Sequence, residues 1–283
     1  MTIEQIYKEY SDKLKNIYHE REAANILDWV FENITGMQKT DRILNKQKQL
    51  SNAVIKRLYR ALEQLLKHTP VQYVLGEAWF YKMKLIVNEH VLIPRPETEE
   101  LVEWITEDSK VKNEKMKIID IGTGSGCIAI ALKKELADAN ILAIDISAEA
   151  LSIAKKNAVH QNVNIDLLKI DFLDDKRWHG LSAFDIIVSN PPYIPEKEKD
   201  VLDKNVAAYE PHLALFVSDD DPFIFYKKIA YFATEHLEPN GKIYVELNEK
   251  YANEVNTIFS HFHFRSTIKK DIYERERMIC AKR

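Results

Sequence analysis

Glycine is scarce in this sequence, with seven residues in a chain of 283. The two cysteines, Cys127 and Cys280, are too few for a disulfide framework or for a zinc site made of cysteines. No apolar run approaches the roughly 18 residues of a membrane-spanning helix. The N-terminus also lacks the basic start and apolar stretch of a secretory signal. These absences exclude collagen-like and disulfide-stapled classes, and we expect a cytoplasmic protein without a membrane partner.

Charge of either sign is not in large excess, since the net charge is −4. This balance argues against a protein that coats nucleic acid through bulk charge, and we expect no direct nucleic-acid binding. The charge is nevertheless uneven, because residues 1–70 hold twelve Lys and Arg against nine Asp and Glu. The stretch Lys39–Lys67 has eight basic residues and two acidic ones. A basic face on the N-terminal region is therefore predicted.

The periodicity of apolar residues divides the chain into three parts. Residues 1–70 carry helical spacing, which predicts a small helical bundle domain. Residues 71–94 contain an aromatic and β-branched run, which predicts a β-hairpin linker with its turn at Asn88–His90. Residues 95–283 alternate strands and helices, which predicts a mainly parallel sheet with helices on both faces. The main parallel strands are predicted at Lys117–Ile121, Ile141–Asp145, Ile165–Ile170, Phe184–Ser189 and Lys242–Leu247.

Three of the seven glycines lie within Gly122–Gly126, between a buried strand and a helix. Glycines let the backbone turn sharply and approach a ligand, and the helix N-terminus offers free N–H groups. Asp145 ends the next strand, where its carboxylate can accept hydrogen bonds from both ribose hydroxyls. The spacing GxGxG after Asp120 differs from the dinucleotide pattern GxGxxG and is typical of S-adenosylmethionine-dependent methyltransferases. The sequence therefore predicts a site for a nucleoside cofactor.

Phe172 follows the third strand of the sheet. Its ring could stack on the adenine of the cofactor, or it could be an ordinary core aromatic. The residues alone leave both alternatives open.

The segment Asn190–Tyr193 reads Asn-Pro-Pro-Tyr and ends a buried strand in a stiff loop. This arrangement suits methylation of a planar amino nitrogen, whose lone pair is delocalised. The Asn190 side-chain oxygen and the Pro191 carbonyl could each accept one N–H and direct the lone pair toward a methyl-sulfonium. The Tyr193 ring could pack against the flat group and favour a cation nearby. We therefore predict Asn190, Pro191 and Tyr193 as catalytic residues.

No other chemistry is indicated by the sequence. It shows no Ser–His–Asp set, no P-loop lysine and no cluster with metal-ligand spacing, and the nine histidines are scattered. No metal site is predicted.

Three segments together resemble the release factor glutamine methyltransferase family, PrmC/HemK. Residues 70–76 lead through Phe80 to residues 91–99, which are similar to the family's linker. Residues 120–126 are similar to its cofactor loop, and residues 190–193 to its substrate loop. The resemblance runs from about Pro70 to the C-terminus.

The resemblance implies an α/β fold with a Rossmann-like, seven-stranded S-adenosylmethionine-dependent methyltransferase domain, an N-terminal helical substrate-binding domain and a β-hairpin linker. It implies methylation of the side-chain amide nitrogen of the glutamine in the Gly-Gly-Gln motif of peptide-chain release factors. The implied cofactor-binding residues are Gly122, Thr123, Gly124, Ser125, Gly126, Asp145, Phe172 and Asn190. The implied substrate-binding residues are Asn190, Pro191, Pro192 and Tyr193.

The resemblance has one further implication, and the sequence departs from the family pattern at two places. Arg95, Glu97 and Thr98 are implied to lie beside the pocket, with a charged helix start as the alternative. Phe172 stands where the family often has tryptophan, and Asn248–Tyr251 replaces a segment that usually carries a glycine and a glutamine.

Several alternatives remain open at this point. An adenine amino-methyltransferase acting on DNA or RNA uses the same Asn-Pro-Pro-Tyr chemistry, but it needs a basic groove or a recognition domain. Methylation of another protein's glutamine and a non-catalytic sensor of the cofactor are two further alternatives. The stretch Lys39–Lys67 is either a solvated helical face or a contact with an acidic release-factor surface. We expect a monomer.

Overall fold

The computed structural model describes residues 1–109, 115–201 and 204–283. The chain forms two compact units. The helical unit comprises Met1–Glu77 and Asp203–Tyr209, and the sheet unit comprises Ala78–Leu202 and Glu210–Arg283. Residues 71–77 thus belong to the helical unit and residues 78–94 to the sheet unit. No helix among the described residues is long and apolar enough to cross a membrane.

The helical unit begins with five helices, of which the first, second and fourth bury an apolar face and the short third helix buries Arg42. Thr2 and Gln5 form a capping box at the start of the first helix, and Ser51 caps the fourth. Large side chains such as Tyr10, Phe31 and Leu58 are almost fully buried in a shared core. The helices are α1 (Ile3–Leu14), α2 (Glu20–Thr35), α3 (Lys39–Leu44), α4 (Asn52–Leu65) and α5 (Val71–Leu75). The predicted helical bundle is confirmed.

The described residues of the sheet unit form two short two-stranded sheets, a seven-stranded sheet and the helices that cover the large sheet. The first half consists of β1 (Glu77–Phe80), β2 (Met83–Ile86), α6 (Pro96–Ser109), β3 (Lys117–Ile121), α7 (Cys127–Glu135), β4 (Asn140–Asp145), α8 (Ala148–His160), β5 (Asp166–Lys169), β6 (Phe184–Ser189) and β7 (Ile194–Pro195). The helix α9 (Lys204–Tyr209) belongs to the helical unit. The second half consists of α10 (His212–Leu215), β8 (Phe216–Val217), α11 (Ile224–His236), β9 (Leu237–Glu246), α12 (Ala252–His261), β10 (Arg265–Lys270) and β11 (Glu276–Lys282).

The hairpin of β1 and β2 turns at a different place from the predicted one. Tyr81 and Lys82 connect the strands, both with left-handed backbone at φ 46° and 60°. The predicted turn at Asn88–His90 is a local one, in which the Asn88 side chain accepts from the His90 N–H. The following segment, residues 91–93, is not a strand, and the Ile93 N–H donates to the Glu210 carboxylate at 3.1 Å. The predicted hairpin turn is therefore wrong.

The large sheet has the strand order β10-β11-β9-β6-β3-β4-β5. The pairs β3–β4, β4–β5, β3–β6 and β6–β9 are parallel, and β11 is antiparallel to both of its neighbours. This confirms the predicted seven-stranded methyltransferase sheet. β9 begins at Leu237, earlier than predicted, and Leu237 pairs with Phe184 before a shift in register between Phe184 and Ile186 of β6.

The core lies on both faces of the sheet, as expected for parallel strands covered by helices. Along β3, Ile118 packs with α6 and α7 in one cluster, and Ile119 packs with α11 and α12 in the other. Because β3 and β6 are buried on both faces, their ligand-binding groups come from the loops at their carboxyl ends.

Candidate active site

Four neighbouring strands bring the predicted site residues to one edge of the sheet. β3 and β6 are parallel and in register, with Ile121 opposite Ser189. Gly122 and Asn190 therefore begin their loops side by side. β3 lies between β4 and β6, so the order of the strands reverses at β3. In open α/β sheets a ligand-binding crevice forms at the carboxyl ends of the strands where this reversal occurs.

The glycine loop adopts a backbone that other residues rarely take. Gly122, Gly124 and Gly126 have φ of 72°, 55° and 81°. A Cβ at either of the first two would meet no atom within 4 Å. A Cβ at Gly126 would come within 3.1 Å of Ala154 on α8. Two glycines thus border open space for a ligand, and the third permits close packing of two helices.

Backbone hydrogen bonds fix the glycine loop to the end of β4. The N–H groups of Gly122 and Thr123 both donate to the Ile144 carbonyl at 2.9 Å. The Asp145 carboxylate accepts from Gly124 N at 2.8 Å and from Ser147 N at 2.9 Å. Burial raises the pKa of Asp145, and these backbone donors oppose the rise. Each carboxylate oxygen keeps a further lone pair for a ligand hydroxyl.

A second acid lies beneath the loop. Asp120 is fully buried and accepts from the Thr123 hydroxyl at 2.6 Å. Burial raises the pKa of Asp120 to about 7. Within the described part of the chain, Asp120 Oδ1 and Ser125 Oγ have no hydrogen-bond partner. The loop therefore retains uncommitted polar atoms next to its glycines.

The structure places Phe172 in the aromatic core of the sheet unit. Its ring is 5% exposed and stacks on Trp178, with centroids 5.2 Å apart. Phe232 meets it edge-on at 5.5 Å. Core packing accounts for this ring, and a contact with adenine stays a prediction.

The Asn-Pro-Pro-Tyr loop is held by side chains. Asn190 Nδ2 donates to Thr98 Oγ1 at 3.0 Å, and the Thr98 hydroxyl donates to Glu246 Oε2 at 2.6 Å. The Tyr193 hydroxyl donates to Glu246 Oε1 at 3.2 Å. Of the residues that the structure describes, none donates to Asn190 Oδ1 or to the Pro191 carbonyl. Neither oxygen is therefore engaged by a donor from the described residues; Pro191 as a whole is buried, and Pro192 and Tyr193 are half-buried.

Glu246 was not singled out by the sequence analysis. It ends β9, is 1% exposed and interacts with Arg277 of β11. Burial raises the pKa of Glu246, while the Thr98 hydrogen bond, Arg277 and the Tyr193 hydrogen bond lower it. One signal could have revealed it, namely an acid that directly follows the apolar run Ile243–Val245 at the carboxyl end of a strand.

Of the residues implied to lie beside the pocket, Thr98 is joined to Asn190. Arg95 forms an ion pair with the buried Glu210 at 2.5 Å, and its charge also opposes the rise that burial causes in the pKa of Tyr193. Glu97 lines a surface cavity with three further glutamates of α6. In the segment Asn248–Tyr251, the Tyr251 hydroxyl donates to Glu198 at 3.0 Å.

No group of three His, Cys, Asp or Glu that could hold a metal ion occurs in the described residues.

Two family models match the chain. A methyltransferase small domain matches residues 98–214, and a PrmC N-terminal domain matches residues 5–76.

Similar proteins and structures agree with these matches. A release factor glutamine methyltransferase of Flavobacterium psychrophilum is 43% identical over 284 residues, covering 99% of this chain and 98% of that protein. A release factor glutamine methyltransferase of Streptococcus pneumoniae is 39% identical, with the same two coverages. A ribosomal protein L11 methylase structure from Lactobacillus delbrueckii subsp. bulgaricus shares the fold, with a TM-score of 0.50, 22% identity and coverage of 70% of this chain and 83% of that one.

Proposed function

Because the chain belongs to the release factor glutamine methyltransferase family, we propose that its site methylates the glutamine of the Gly-Gly-Gln motif in peptide-chain release factors. The methyl group passes from S-adenosylmethionine to the side-chain amide nitrogen. The observation that carries this proposal is the orientation of Asn190, whose Nδ2 donates to Thr98, so that none of the described residues donates to its Oδ1 or to the carbonyl of the next residue, Pro191.

The glycine loop fits S-adenosylmethionine. Open space lies in front of Gly122 and Gly124, where a side chain would intrude on a ligand. Asp145 can accept the ribose hydroxyls with its remaining lone pairs, and Asp120 Oδ1 and Ser125 Oγ are unpaired polar atoms near the loop. The bound cofactor supplies an electrophilic methyl group on a sulfonium sulfur.

The residues at the end of β6 act on the glutamine nitrogen. Asn190 Oδ1 and the Pro191 carbonyl each accept one of its two N–H groups, which orients the nitrogen for attack. The same oxygens stabilise the positive charge that develops on nitrogen in the transition state. The Tyr193 ring, fixed through its hydroxyl to Glu246, covers the planar amide. As the new N–C bond forms and the methyl–sulfur bond breaks, the sulfonium leaves as a neutral thioether. The nitrogen then releases one of its N–H protons to solvent water, and the product is a secondary amide.

Mass spectrometry of a recombinant release factor tests this function. After incubation with the protein and S-adenosylmethionine, the peptide that contains Gly-Gly-Gln should gain one methyl group. A release factor with alanine in place of that glutamine is the control and should gain none. An adenine-containing oligonucleotide is offered in a parallel reaction. Methylation of the oligonucleotide with an unchanged release factor would support the adenine alternative and contradict the proposal.

We also propose that the exposed face of α4 contacts an acidic surface of the release factor. Lys56, Arg57 and Arg60 are exposed on this helix. Elsewhere in the basic stretch, by contrast, Lys39 and Arg42 form ion pairs with Asp28 of the helical unit. The three α4 charges form no ion pair within the described residues, and Arg57 alone of them contacts the rest of the unit, through a hydrogen bond to the Ile34 carbonyl at 3.4 Å.

Charge reversal tests this contact. Changing Lys56, Arg57 and Arg60 together to glutamate should raise KM for the release factor several-fold with little change in kcat. Reversal of the exposed Lys155 and Lys156 on α8 serves as the matched control. An unchanged KM in the α4 variant, or an equal rise in the α8 variant, would refute the contact.

A further inference from the structure

A buried carboxylate lies behind the Asn-Pro-Pro-Tyr loop. Glu246 is 1% exposed, at the carboxyl end of β9 and next to β6. Burial of an ionised carboxylate is costly unless hydrogen bonds and opposite charge compensate it. Its two oxygens accept from two hydroxyl groups, those of Thr98 and Tyr193. Thr98 also contacts Asn190, and Tyr193 belongs to the Asn-Pro-Pro-Tyr loop, so both donors connect Glu246 to the proposed reaction site.

Glu246 and Asn190 are linked through the Thr98 hydroxyl, and the chemistry of the three groups determines which one donates in each hydrogen bond. An ionised carboxylate can only accept, so the single hydrogen of the Thr98 hydroxyl points to Glu246. Thr98 Oγ1 must then accept from Asn190, and only the Nδ2 end of a carboxamide can donate. The contact distances of 2.6 Å and 3.0 Å agree with this order. The remaining end of the carboxamide, Oδ1, is thereby turned away from Thr98.

We propose that Glu246 is a positioning residue that acts through Thr98 to hold the Asn190 carboxamide with Oδ1 available to the substrate, and that holds the Tyr193 ring through its hydroxyl. This inference rests on the proposed function, because it concerns the acceptor that the glutamine nitrogen uses. Without the network, the Asn190 carboxamide could rotate by half a turn. Its Nδ2 would then face the substrate N–H groups, and donor would oppose donor.

Substitution of the Glu246 carboxylate tests whether the direction of these hydrogen bonds matters for methyl transfer. Glu246→Gln keeps the shape but offers one acceptor end and one donor end. It therefore cannot accept from both Thr98 and Tyr193. We expect kcat for methylation to fall roughly 10- to 100-fold. KM for the release factor and Kd for the cofactor should stay within about three-fold of wild type, because Glu246 is 1% exposed and lies behind Thr98 and Tyr193.

Two substitutions at Thr98 separate positioning from packing. Thr98→Val keeps the volume and removes the hydroxyl, so we expect a loss of kcat similar to that of Glu246→Gln. Thr98→Ser keeps the hydroxyl and should restore kcat to within about three-fold of wild type. The double variant that combines Thr98→Val with Glu246→Gln should lose no more than the larger single loss, because both changes break one chain of bonds.

Asp108→Asn is the matched control. Asp108 also accepts a tyrosine hydroxyl, that of Tyr244 at 2.6 Å, and an ammonium group, that of Lys242 at 2.7 Å. Lys242 pairs with Ile186, at the other end of the sheet from the site. This variant should therefore leave kcat unchanged. Thermal unfolding of every variant identifies losses that come from instability.

A second measurement does not depend on turnover. Exchange of the Asn190 side-chain amide protons, followed by NMR with Asn190→Ala for assignment, reports the bond to Thr98. We expect slow exchange in wild type and in the Thr98→Ser and Asp108→Asn variants. Exchange should be faster in Thr98→Val and Glu246→Gln. This result is independent of the substrate, so a failure of the proposed function is distinguished from a failure of the positioning role.

Three outcomes would overturn the inference. The first is wild-type kcat in Thr98→Val, and the second is a Thr98→Ser variant as slow as Thr98→Val. The third is rapid exchange of the Asn190 amide protons in the wild-type protein. Since Thr98→Val and Thr98→Ser differ little in volume from the native residue, the test stands even where Glu246→Gln does not fold.

Discussion

The two loops of the site are held in place by different means. The glycine loop is fixed by its own backbone, whose N–H groups donate to Ile144 and Asp145 of the neighbouring strand. The Asn-Pro-Pro-Tyr loop is fixed by side chains that come from distant parts of the sequence, Thr98 of α6 and Glu246 of β9. Both loops begin at the same edge of the sheet.

This difference indicates separate tasks for the loops. A loop built from backbone and glycine leaves space, and its main requirement is that the space stays open. A loop whose key group is one oriented carboxamide requires a defined direction of each hydrogen bond. Changes in the first loop should therefore alter cofactor affinity, and changes in the second should alter the rate of methyl transfer.

The largest effect should come from Asn190→Ala. Loss of a preorganised group that stabilises transition-state charge typically lowers kcat by about 10² to 10³. We expect a loss of at least this size, with a much smaller change in the Kd of the cofactor. Single-turnover kinetics and calorimetric titration of the cofactor measure the two quantities. A variant whose kcat stays within about three-fold of wild type would remove the Asn-Pro-Pro-Tyr loop from the chemistry.

A smaller effect should come from Gly124→Ala, which changes the glycine loop. The backbone at φ 55° is strained for alanine, and the added methyl group enters the space assigned to the cofactor. We expect the cofactor Kd to rise about 10-fold, which corresponds to ~1.4 kcal/mol. Gly180→Ala is the matched control, since Gly180 has φ 91°, open surroundings and a place outside the site. It should cost similar stability and leave the Kd unchanged. Equal effects of the two variants on Kd would mean that backbone strain, and not occupied space, explains the result.

The smallest effect concerns the acid beneath the glycine loop. Burial raises the pKa of Asp120 from 3.8 to about 7. Between the two pKa values the folded state keeps a proton that the unfolded state releases, so stability from this group is lost as pH rises from 3.8 to about 7. Asp120→Asn removes that loss, so the variant should gain stability relative to wild type at pH 8, by at least about 1 kcal/mol. Urea unfolding at pH 5 and pH 8 measures the gain, which should be smaller at pH 5. A gain that does not depend on pH would contradict the assigned titration.

The same difference between the loops explains what the sequence could reveal. The bounds of β3 and β6 follow from apolar runs that end in glycine or proline, and the structure reproduces both predicted ranges. The glycine loop is a local pattern, because its partners lie in the next strand. The bonds of Asn190 reach Thr98 across 92 positions of the chain, so no local pattern contains them.

Two other differences have equally physical causes. The hairpin turn at Tyr81 and Lys82 uses left-handed backbone without glycine or asparagine, and so it carries no turn signal. Phe172 follows its strand at the expected place, but the neighbouring Trp178 covers its ring. A single position cannot indicate which aromatic neighbour the fold will bring to it.

The most direct test of the account is the identity of the atom that receives the methyl group. A release factor with ¹⁵N-labelled glutamine side chains can be followed by NMR before and after the reaction. The account predicts that one side-chain NH₂ signal pair disappears and that one N–H signal appears, coupled to a methyl group. A methylated release factor in which every glutamine NH₂ pair remains would contradict the proposed transfer to the amide nitrogen.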